Sequence, residues 1–242
     1  MKVTYIEHSG FMAETERVCL LFDYYRGEIP QIEMEKDLVV FVSHRHEDHY
    51  NRDIFELIRQ YPSVKFVLSS DIRTKRLTEE YMEKGIDLSS HILSVKPNTI
   101  QKTELSNGET LEIETLKSTD EGVAFFLTTG EKKIYHAGDL NLWVWEGESL
   151  QYNNNMKALY RKELEKLKGR EIDAAFIPLD PRQGNEAFYG LQFFAEATDS
   201  RYIFPMHFWG KYSIISDFLK KFPEYRDRIV LIEKKGQKFT IV

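Results

Sequence analysis

A charged cluster directly follows an apolar run in the first quarter of the chain. Residues 38–43 are Leu-Val-Val-Phe-Val-Ser, a run rich in β-branched residues that predicts a buried β-strand. Residues 44–49 are His-Arg-His-Glu-Asp-His, so they lie in the loop at the carboxyl end of that strand. Open sheets bind ligands at this edge. Three imidazoles and an aspartate in one loop supply the donors that zinc and similar divalent transition metals bind.

The spacing of these donors allows two metal positions. In an extended or turning loop the side chains of His44 and His46 point the same way, whereas Asp48 and His49 can face a second point. The alternative is a solvated polar loop, or histidines that cap a helix predicted to begin at Asn51. Because the chain has only seven histidines, the presence of three of them in one loop favours the metal site.

Length and composition predict one α/β domain that spans residues 1–242. With 42% hydrophobic and 30% charged residues, the chain can bury a sizeable core. No apolar run approaches the ~20 residues of a membrane span, and the N-terminus has no apolar segment typical of a signal peptide. The single cysteine, Cys19, excludes an internal disulfide and is expected to be buried. A cytoplasmic protein is therefore expected.

Strand patterns and helix patterns alternate along both halves of the chain, which predicts two sheets packed face to face with helices outside. The first strands are expected at residues 2–7 and 13–23, with a turn around Phe11 and Met12. The last two strands are expected at residues 228–233 and 237–242. Helices are predicted after Asn51 and over residues 71–84, 149–168, 188–198 and 213–222.

The pattern His-x-His-x-Asp-His after an apolar strand resembles the signature of the metallo-β-lactamase fold superfamily of metallohydrolases. The chain has companions to this motif in the family's order, namely Asp23, Asp139 and His207, so the likeness spans nearly the whole sequence. The opening residues 5–10, Tyr-Ile-Glu-His-Ser-Gly, are similar to the start of the branch that includes ascorbate-6-phosphate lactonase-like proteins. The resemblance implies a single domain with a four-layer αββα sandwich and a hydrolase that uses metal-activated water.

The resemblance also assigns ligands to two metal positions. One position takes His44 and His46. The other takes Asp48, His49 and His207, and Asp139 bridges the two positions. The sequence itself supports Asp139, because Gly138 frees the backbone after an apolar strand and leaves a carboxylate at the strand end. In this scheme Asp48 also helps to orient or deprotonate the attacking water.

Two further polar residues are expected behind the ligands. His8 and Asp23 would hold ligating imidazoles in one tautomer, with a purely structural polar role as the alternative for each.

The chain departs from the family at one place. The superfamily usually has a further histidine before the glycine-containing hairpin, whereas residues 117–122 here are Lys-Ser-Thr-Asp-Glu-Gly, and no histidine lies between His91 and His136. Asp120 is the candidate replacement ligand, with a turn or helix-cap aspartate as the alternative. One or two divalent metals per chain are expected, with zinc first and manganese or iron favoured by an added oxygen ligand.

Aromatic and basic residues are candidates for contact with the substrate. Trp143 and Trp145 follow Asp139, and Trp209 follows His207. These aromatic residues after candidate ligands are predicted to wall a pocket, with core packing as the alternative. Arg182 is expected to anchor a carboxylate or phosphate in a bidentate manner, with a surface ion pair as the alternative.

The expected function is a metal-dependent hydrolase that acts on a small anionic substrate, either a lactone or a phosphoester. One alternative is a nuclease or other phosphodiesterase of the same superfamily, although the formal charge of −6 argues against a nucleic-acid partner. The other alternative is a catalytically silent domain that binds or senses metal, which the missing histidine suggests. The sequence indicates no membrane partner and leaves the oligomeric state open.

Overall fold

In the computed structural model of residues 1–242, two β-sheets pack face to face and helices cover both outer sides. The strands are β1 (Lys2–Glu7), β2 (Gly10–Glu14), β3 (Val18–Phe22), β4 (Asp37–Val42), β5 (Lys65–Ser69), β6 (Ile92–Val95), β7 (Ile100–Glu104), β8 (Thr110–Lys117), β9 (Val123–Thr129), β10 (Lys132–His136), β11 (Glu171–Pro178), β12 (Asp199–Met206) and β13 (Lys238–Thr240). The helices are α1 (Thr74–Glu83), α2 (Leu150–Leu164), α3 (Tyr189–Ala197) and α4 (Ser213–Lys221), with 3₁₀ segments at Arg52–Arg59, Glu165–Leu167, Pro181–Glu186 and Pro223–Tyr225. The predicted four-layer αββα sandwich is confirmed.

The two sheets bring the carboxyl ends of parallel strands together. The first sheet has the order β13-β1-β2-β3-β4-β5-β6, and its strands from β3 to β6 are parallel. The second has the order β12-β11-β10-β9-β8-β7, and β10, β11 and β12 are parallel. Ligand-binding residues are expected where such strands end. Every polar residue of the site described below except His8 follows one of these parallel strands or lies in a loop beside them.

The central strand β4 is apolar throughout because both of its faces are buried. Val39 and Phe41 point into the core between the sheets, where Phe41 packs at 5.1 Å from Phe22 and from Phe125 of the opposite sheet. Val40 and Val42 point to the outer side. There the 3₁₀ segment after Asn51 and helix α1 cover them, whereas α2, α3 and α4 cover the second sheet. A strand buried on both faces reads as a continuous apolar run.

The structure corrects the prediction for the first strands. Phe11 and Met12 lie within β2 and not in a turn, because β1 and β2 are joined by a tight turn at His8 and Ser9. The next turn falls at residues 15–17, where the hydroxyl of Thr15 accepts a hydrogen bond from the backbone N–H of Val18. The side chain of Thr15 thus stabilises a turn within residues 13–23, which the sequence pattern predicts as one strand.

The predicted strand at residues 228–233 is also wrong, because this segment makes only one bridge, between Ile229 and Ile203 of β12. The predicted helices are present, and Asn51 caps the 3₁₀ segment through its side chain.

Cys19 is buried, and burial followed by the charge of Glu14 raises the pKa of its thiol to about 12. None of the helices combines the length and apolarity that crossing a bilayer requires.

Candidate metal centre

The loop after β4 is held tightly against the second sheet at Ser43. A β-carbon on Gly122 would lie 1.9 Å from the Ser43 carbonyl oxygen, and one on Gly138 would lie 2.6 Å from the Ser43 side chain. Both glycines have positive φ, +72° and +51°, which only glycine adopts without strain. These two close approaches bring the β8–β9 turn and the loop after β10 onto the histidine loop.

Three polar residues at strand ends adopt left-handed backbone conformations. They are His8 after β1, Asp23 after β3 and His207 after β12, with φ values of 56°, 40° and 62°. Such conformations are uncommon outside glycine and concentrate at functional sites. The side chains of His8 and His207 face one buried point between the sheets, and Asp23 contacts His49 beside it.

Four side chains form a first donor group, here named site A: His8, Asp48, His49 and His207. One ligand atom from each lies within 4.8 Å of the others. Oδ2 of Asp48 lies 3.2 Å from Nε2 of His8, 3.9 Å from Nε2 of His49 and 3.7 Å from Nε2 of His207. Three imidazole nitrogens and a carboxylate oxygen therefore surround one point.

A second group, here named site B, consists of His44, His46 and Asp139. Nε2 of His44 lies 3.0 Å from Nδ1 of His46 and 3.6 Å from Oδ2 of Asp139. His44 is buried, whereas the His46 side chain is 42% exposed, so site B opens toward solvent.

Asp139 stands between the two sites. Its Oδ1 lies 3.2 Å from Nε2 of His49 and 3.4 Å from Nε2 of His207, while its Oδ2 faces His44 of site B. This is the arrangement that a bridging carboxylate requires.

The hydrogen bonding of site A fits a cation. Nε2 of His8, His49 and His207 and Oδ1 of Asp139 are all buried and make no hydrogen bond. Buried polar atoms are normally paired, because leaving one unpaired costs about 1–3 kcal/mol. Four such atoms converge on one point, and neutral imidazoles with a carboxylate are the donor chemistry of zinc and related metals.

Two carboxylates hold the imidazoles of site A from behind. Oδ2 of Asp23 lies 2.8 Å from Nδ1 of His49, and Oδ2 of Asp180 lies 3.0 Å from Nδ1 of His207. An ionised carboxylate can only accept, so Nδ1 carries the proton in both rings and Nε2 is left to bind a metal. Asp23 therefore lies behind His49.

Sequence reasoning missed Asp180 and Ser43. Asp180 also caps the 3₁₀ segment Pro181–Glu186, and an Asp-Pro pair after a strand is typical of such a cap. The hydroxyl of Ser43 donates to Oδ2 of Asp23 at 2.6 Å and lies 2.9 Å from Nδ1 of His44. The only signal for Ser43 was its place directly before the motif.

His8 lies closer to the centre than its expected supporting role requires. Its Nε2 belongs to the donors of site A, and its ring centroid is 4.1 Å from that of His207. Its backbone is fixed by a hydrogen bond from its N–H to the hydroxyl of Tyr5 at 3.0 Å.

Burial and neighbouring charges set the protonation of the donors. Burial lowers the pKa of His8 and of His44 to about 4, so both imidazoles are neutral at pH 7. Burial also acts to raise the pKa of Asp48, but its contact with His8 at 3.2 Å and the charges of the nearby histidines hold that pKa well below the usual range. The neutral imidazole and the ionised carboxylate are the forms that bind metals.

His49 behaves differently. Burial acts to lower its pKa, but the carboxylates of Asp139 and Asp23 outweigh burial and raise the pKa well above the usual value. The same contact, against burial, holds the pKa of Asp139 well below its usual range. Without a metal, His49 therefore carries a proton between two carboxylates.

A cleft of about 260 Å³ opens over the donors. Its floor includes His46, Asp48, Asp139 and His207. A larger groove of about 770 Å³ lies at the opposite edge of the sheets and is lined by Lys2, Glu14, Lys36 and other residues, with no imidazole.

Asp120 lies on the rim of the cleft where the family histidine is missing. Its Oδ2 is 3.8 Å from Nδ1 of His46, but it is not a member of either donor group. Burial and then the charge of Asp139 raise its pKa. The neighbouring Thr119 bonds through its hydroxyl to the backbone N–H and C=O of Asn141, which fixes this turn against the loop after β10. Ligation by Asp120 stays a prediction.

The predicted substrate residues occupy different places. Trp143 and Trp145 are stacked with their rings 6.0 Å apart and line the cleft, together with Arg182. Trp209 does not line the cleft: its ring packs 4.4 Å from that of His8, and its indole N–H donates to Asp180. Trp209 therefore contacts His8 and Asp180 and forms no part of the cleft wall.

Arg182 is both a cleft residue and a member of an ion pair. Its Nε donates to the carboxylate of Asp180 at 2.9 Å, and its guanidinium lies 4.6 Å from the ring of Trp209. Half of its side chain is exposed. The ion pair with the buried carboxylate of Asp180 holds the Arg182 guanidinium at the rim of the cleft.

Comparison with known proteins places these features in a family. The family model described as "Beta-lactamase superfamily domain" matches residues 2–207. A UPF0173 metal-dependent hydrolase of Opitutus terrae is 33% identical over 153 residues, which cover 59% of this chain and 64% of that protein. The matched stretch thus spans less than two thirds of that relative. A UPF0173 metal-dependent hydrolase of Carboxydothermus hydrogenoformans is 26% identical over 220 residues, 86% of this chain and 84% of that protein.

A solved structure shows the same fold. Igni18, described as a novel metallo hydrolase from Ignicoccus hospitalis, is similar with a TM-score of 0.60 and 19% identity, covering 100% of this chain and 99% of that one. None of these three proteins is described as an ascorbate-6-phosphate lactonase, so that branch stays a prediction. Because the family model covers most of the sequence, the chain belongs to the metallo-β-lactamase superfamily, whose members similar to it are named metal-dependent hydrolases.

Proposed function

We propose that this chain is a metal-dependent hydrolase of a small anionic substrate, with lactones and phosphoesters as the first bonds to test. The observation that carries the proposal is the convergence of four buried, unpaired donor atoms beside an open cleft. Divalent metal held by sites A and B together would supply a water of lowered pKa and a positive charge for the developing oxyanion.

The protein side chains would position the reacting groups. Asp48 faces the cleft as an ionised carboxylate and can accept a hydrogen bond from a water held above the donors. It would thereby orient that water toward the substrate and help to remove its proton. Asp23 and Asp180 keep the imidazoles of His49 and His207 in one orientation, so that little rearrangement is needed during the reaction.

The shape of the cleft supports a small substrate. At about 260 Å³ it is at the lower end of ligand pockets in proteins. Stacked Trp143 and Trp145 provide an apolar wall, and Arg182 provides a positive charge at the rim. We infer a substrate with one anionic group and a small apolar part. A nucleic acid would need a longer basic surface than this single arginine offers.

The donor set supports zinc as the first metal to test. Site A is rich in imidazole, which suits zinc, whereas site B has fewer imidazoles and lies beside the carboxylate of Asp120. Manganese and iron are therefore the alternatives for site B. A cytoplasmic location, expected from the sequence, is part of the same proposal.

Turnover by the purified, metal-loaded protein tests the function. The chain is stripped of metal, loaded with zinc, manganese or iron, and assayed with lactones, phosphomonoesters and phosphodiesters. We expect hydrolysis of at least one class that disappears after chelation and in Asp139→Ala but persists in Asp217→Ala, an exposed carboxylate variant. A fully loaded protein that hydrolyses none of them would support the silent metal-binding alternative.

The role of Arg182 is tested on the substrate found in that assay. Arg182→Ala is expected to raise KM about 10–100-fold, because a lost bond to a charged group costs about 1.5–3 kcal/mol. Arg76→Ala is the matched control, since Arg76 is exposed and pairs with Glu80 on α1, away from the cleft. An unchanged KM in Arg182→Ala would assign Arg182 to its ion pair with Asp180 alone.

A further inference from the structure

We propose that His8 is itself a metal ligand and that it makes site A the tighter of two unequal metal positions. The inference rests on the metal-dependent function proposed above. It predicts that the centre fills in sequence, with site A first and with site B exchangeable and open to the cleft.

The position of His8 is fixed from two sides. It occupies the turn between β1 and β2 with φ of 56°, and its carbonyl accepts a hydrogen bond from the backbone N–H of His207 at 3.3 Å. Its ring lies between those of His207 and Trp209, with centroids 4.1 and 4.4 Å away. The side chain is therefore held toward site A before any ligand arrives.

The free ring nitrogen of His8 points to a cation. Nε2 is buried and has no hydrogen-bond partner, although Oδ2 of Asp48 lies 3.2 Å away. Nε2 of His49 and of His207 are in the same state and face the same point. Three buried imidazole nitrogens that make no hydrogen bond and face carboxylate oxygens around one point are explained together by one bound metal.

The two sites differ in the number of donors that the protein supplies. Site A offers four side chains, and Oδ1 of Asp139 lies 3.2 and 3.4 Å from two of its nitrogens. Site B offers three side chains, counting Asp139, and its His46 side chain is 42% exposed. A position with four or five protein ligands is closed, whereas one with three keeps an open position for water or substrate.

Binding of zinc to the metal-free protein tests the order of filling. In competition with a chromophoric chelator, the wild type is expected to bind two equivalents with affinities at least 10-fold apart. His8→Asn keeps a residue that tolerates positive φ but removes the imidazole. It is expected to weaken the tighter step by at least about 10-fold, the lower end of the effect of losing a supporting residue, and to leave the weaker step unchanged.

Two further variants control this titration. His44→Ala is expected to remove the weaker step and to keep the tighter one. His91→Gln is the matched control for loss of an imidazole, because His91 bonds to the carbonyl of Val64 away from both sites, and it should alter neither step. Unfolding of each metal-free variant in urea verifies that the variants are folded.

Cobalt spectra separate ligation by His8 from a hydrogen bond to Asp48. With one equivalent of Co²⁺, the visible absorption bands are expected to shift in His8→Asn relative to the wild type, because an oxygen donor in place of an imidazole nitrogen changes the ligand field of the metal. The proposal is overturned by equal affinities in the wild type, by an unchanged tighter step in His8→Asn, or by a weakened step with an unchanged spectrum. These outcomes leave the hydrolase proposal standing, whereas a wild type that binds no metal overturns both.

Discussion

His207 donates a hydrogen bond from Nδ1 to the buried carboxylate of Asp180 across 3.0 Å, and its Nε2 faces Asp139 at 3.4 Å. His49 has the same arrangement with Asp23 on the other sheet. Each sheet therefore supplies to site A one imidazole with a carboxylate behind it, and the first sheet adds His8. The orientation of the donors is fixed by the fold and does not depend on the loops alone.

Asp180→Ala is expected to lower zinc affinity about 10–100-fold, because losing the residue behind a ligating imidazole has an effect of that size. Chelator competition measures the affinity, and Asp217→Ala, an exposed carboxylate paired with Lys220, is the matched control. Equal affinity in Asp180→Ala and the wild type would show that His207 needs no support.

Gly122→Ala is expected to destabilise the protein by roughly 2–5 kcal/mol, the sum of left-handed strain and overpacking. The added β-carbon would lie 1.9 Å from the Ser43 carbonyl oxygen and would displace the histidine loop. Gly108→Ala is the control, because φ there is +80° and nothing lies within 4 Å of the new carbon, so only about 1–2 kcal/mol is lost. Urea unfolding measures both, and equal losses would contradict the close approach at Ser43.

Zinc binding to site A is expected to release about one proton near pH 7. Without metal, the pKa of His49 is raised well above its usual value by Asp139 and Asp23, against the effect of burial, so the ring is protonated. The metal displaces that proton, and affinity therefore falls as the pH decreases through the neutral range. Calorimetry in buffers of different ionisation enthalpy counts the protons.

Asp23→Asn provides the check on the source of that proton. Removing the Asp23 charge lowers the pKa of His49, so fewer protons should be released at pH 7. A release that does not change in Asp23→Asn would assign the proton to another group.

Asp120→Ala is expected to lower the zinc content of the protein from two equivalents to one, with site A still filled. Without Asp120, site B keeps only His44, His46 and Asp139 as donors, so it holds its metal less tightly. Elemental analysis of the wild type beside Asp120→Ala measures the effect. Matching content in the two proteins would rule out Asp120 as a required ligand.

The sequence could predict the sandwich and the loop of candidate donors, because β4 is apolar on both faces and its motif is compact. It could not predict Asp180, since an aspartate before a proline has the same pattern whether it caps a helix or also holds an imidazole. The turn at residues 15–17 divides a stretch whose apolar pattern predicts one strand. The sequence also does not show the positive φ of Trp209, which sets the direction of its side chain.

Anomalous diffraction at the zinc edge, from crystals of the zinc-loaded protein, shows which residues bind the metal. Two peaks are expected on either side of Asp139, roughly 3.5–4 Å apart, one within ligand distance of His8, Asp48, His49 and His207 and the other beside His44 and His46. A map without a peak at site A, from protein kept in micromolar excess zinc, would contradict the assignment of these residues to a metal centre.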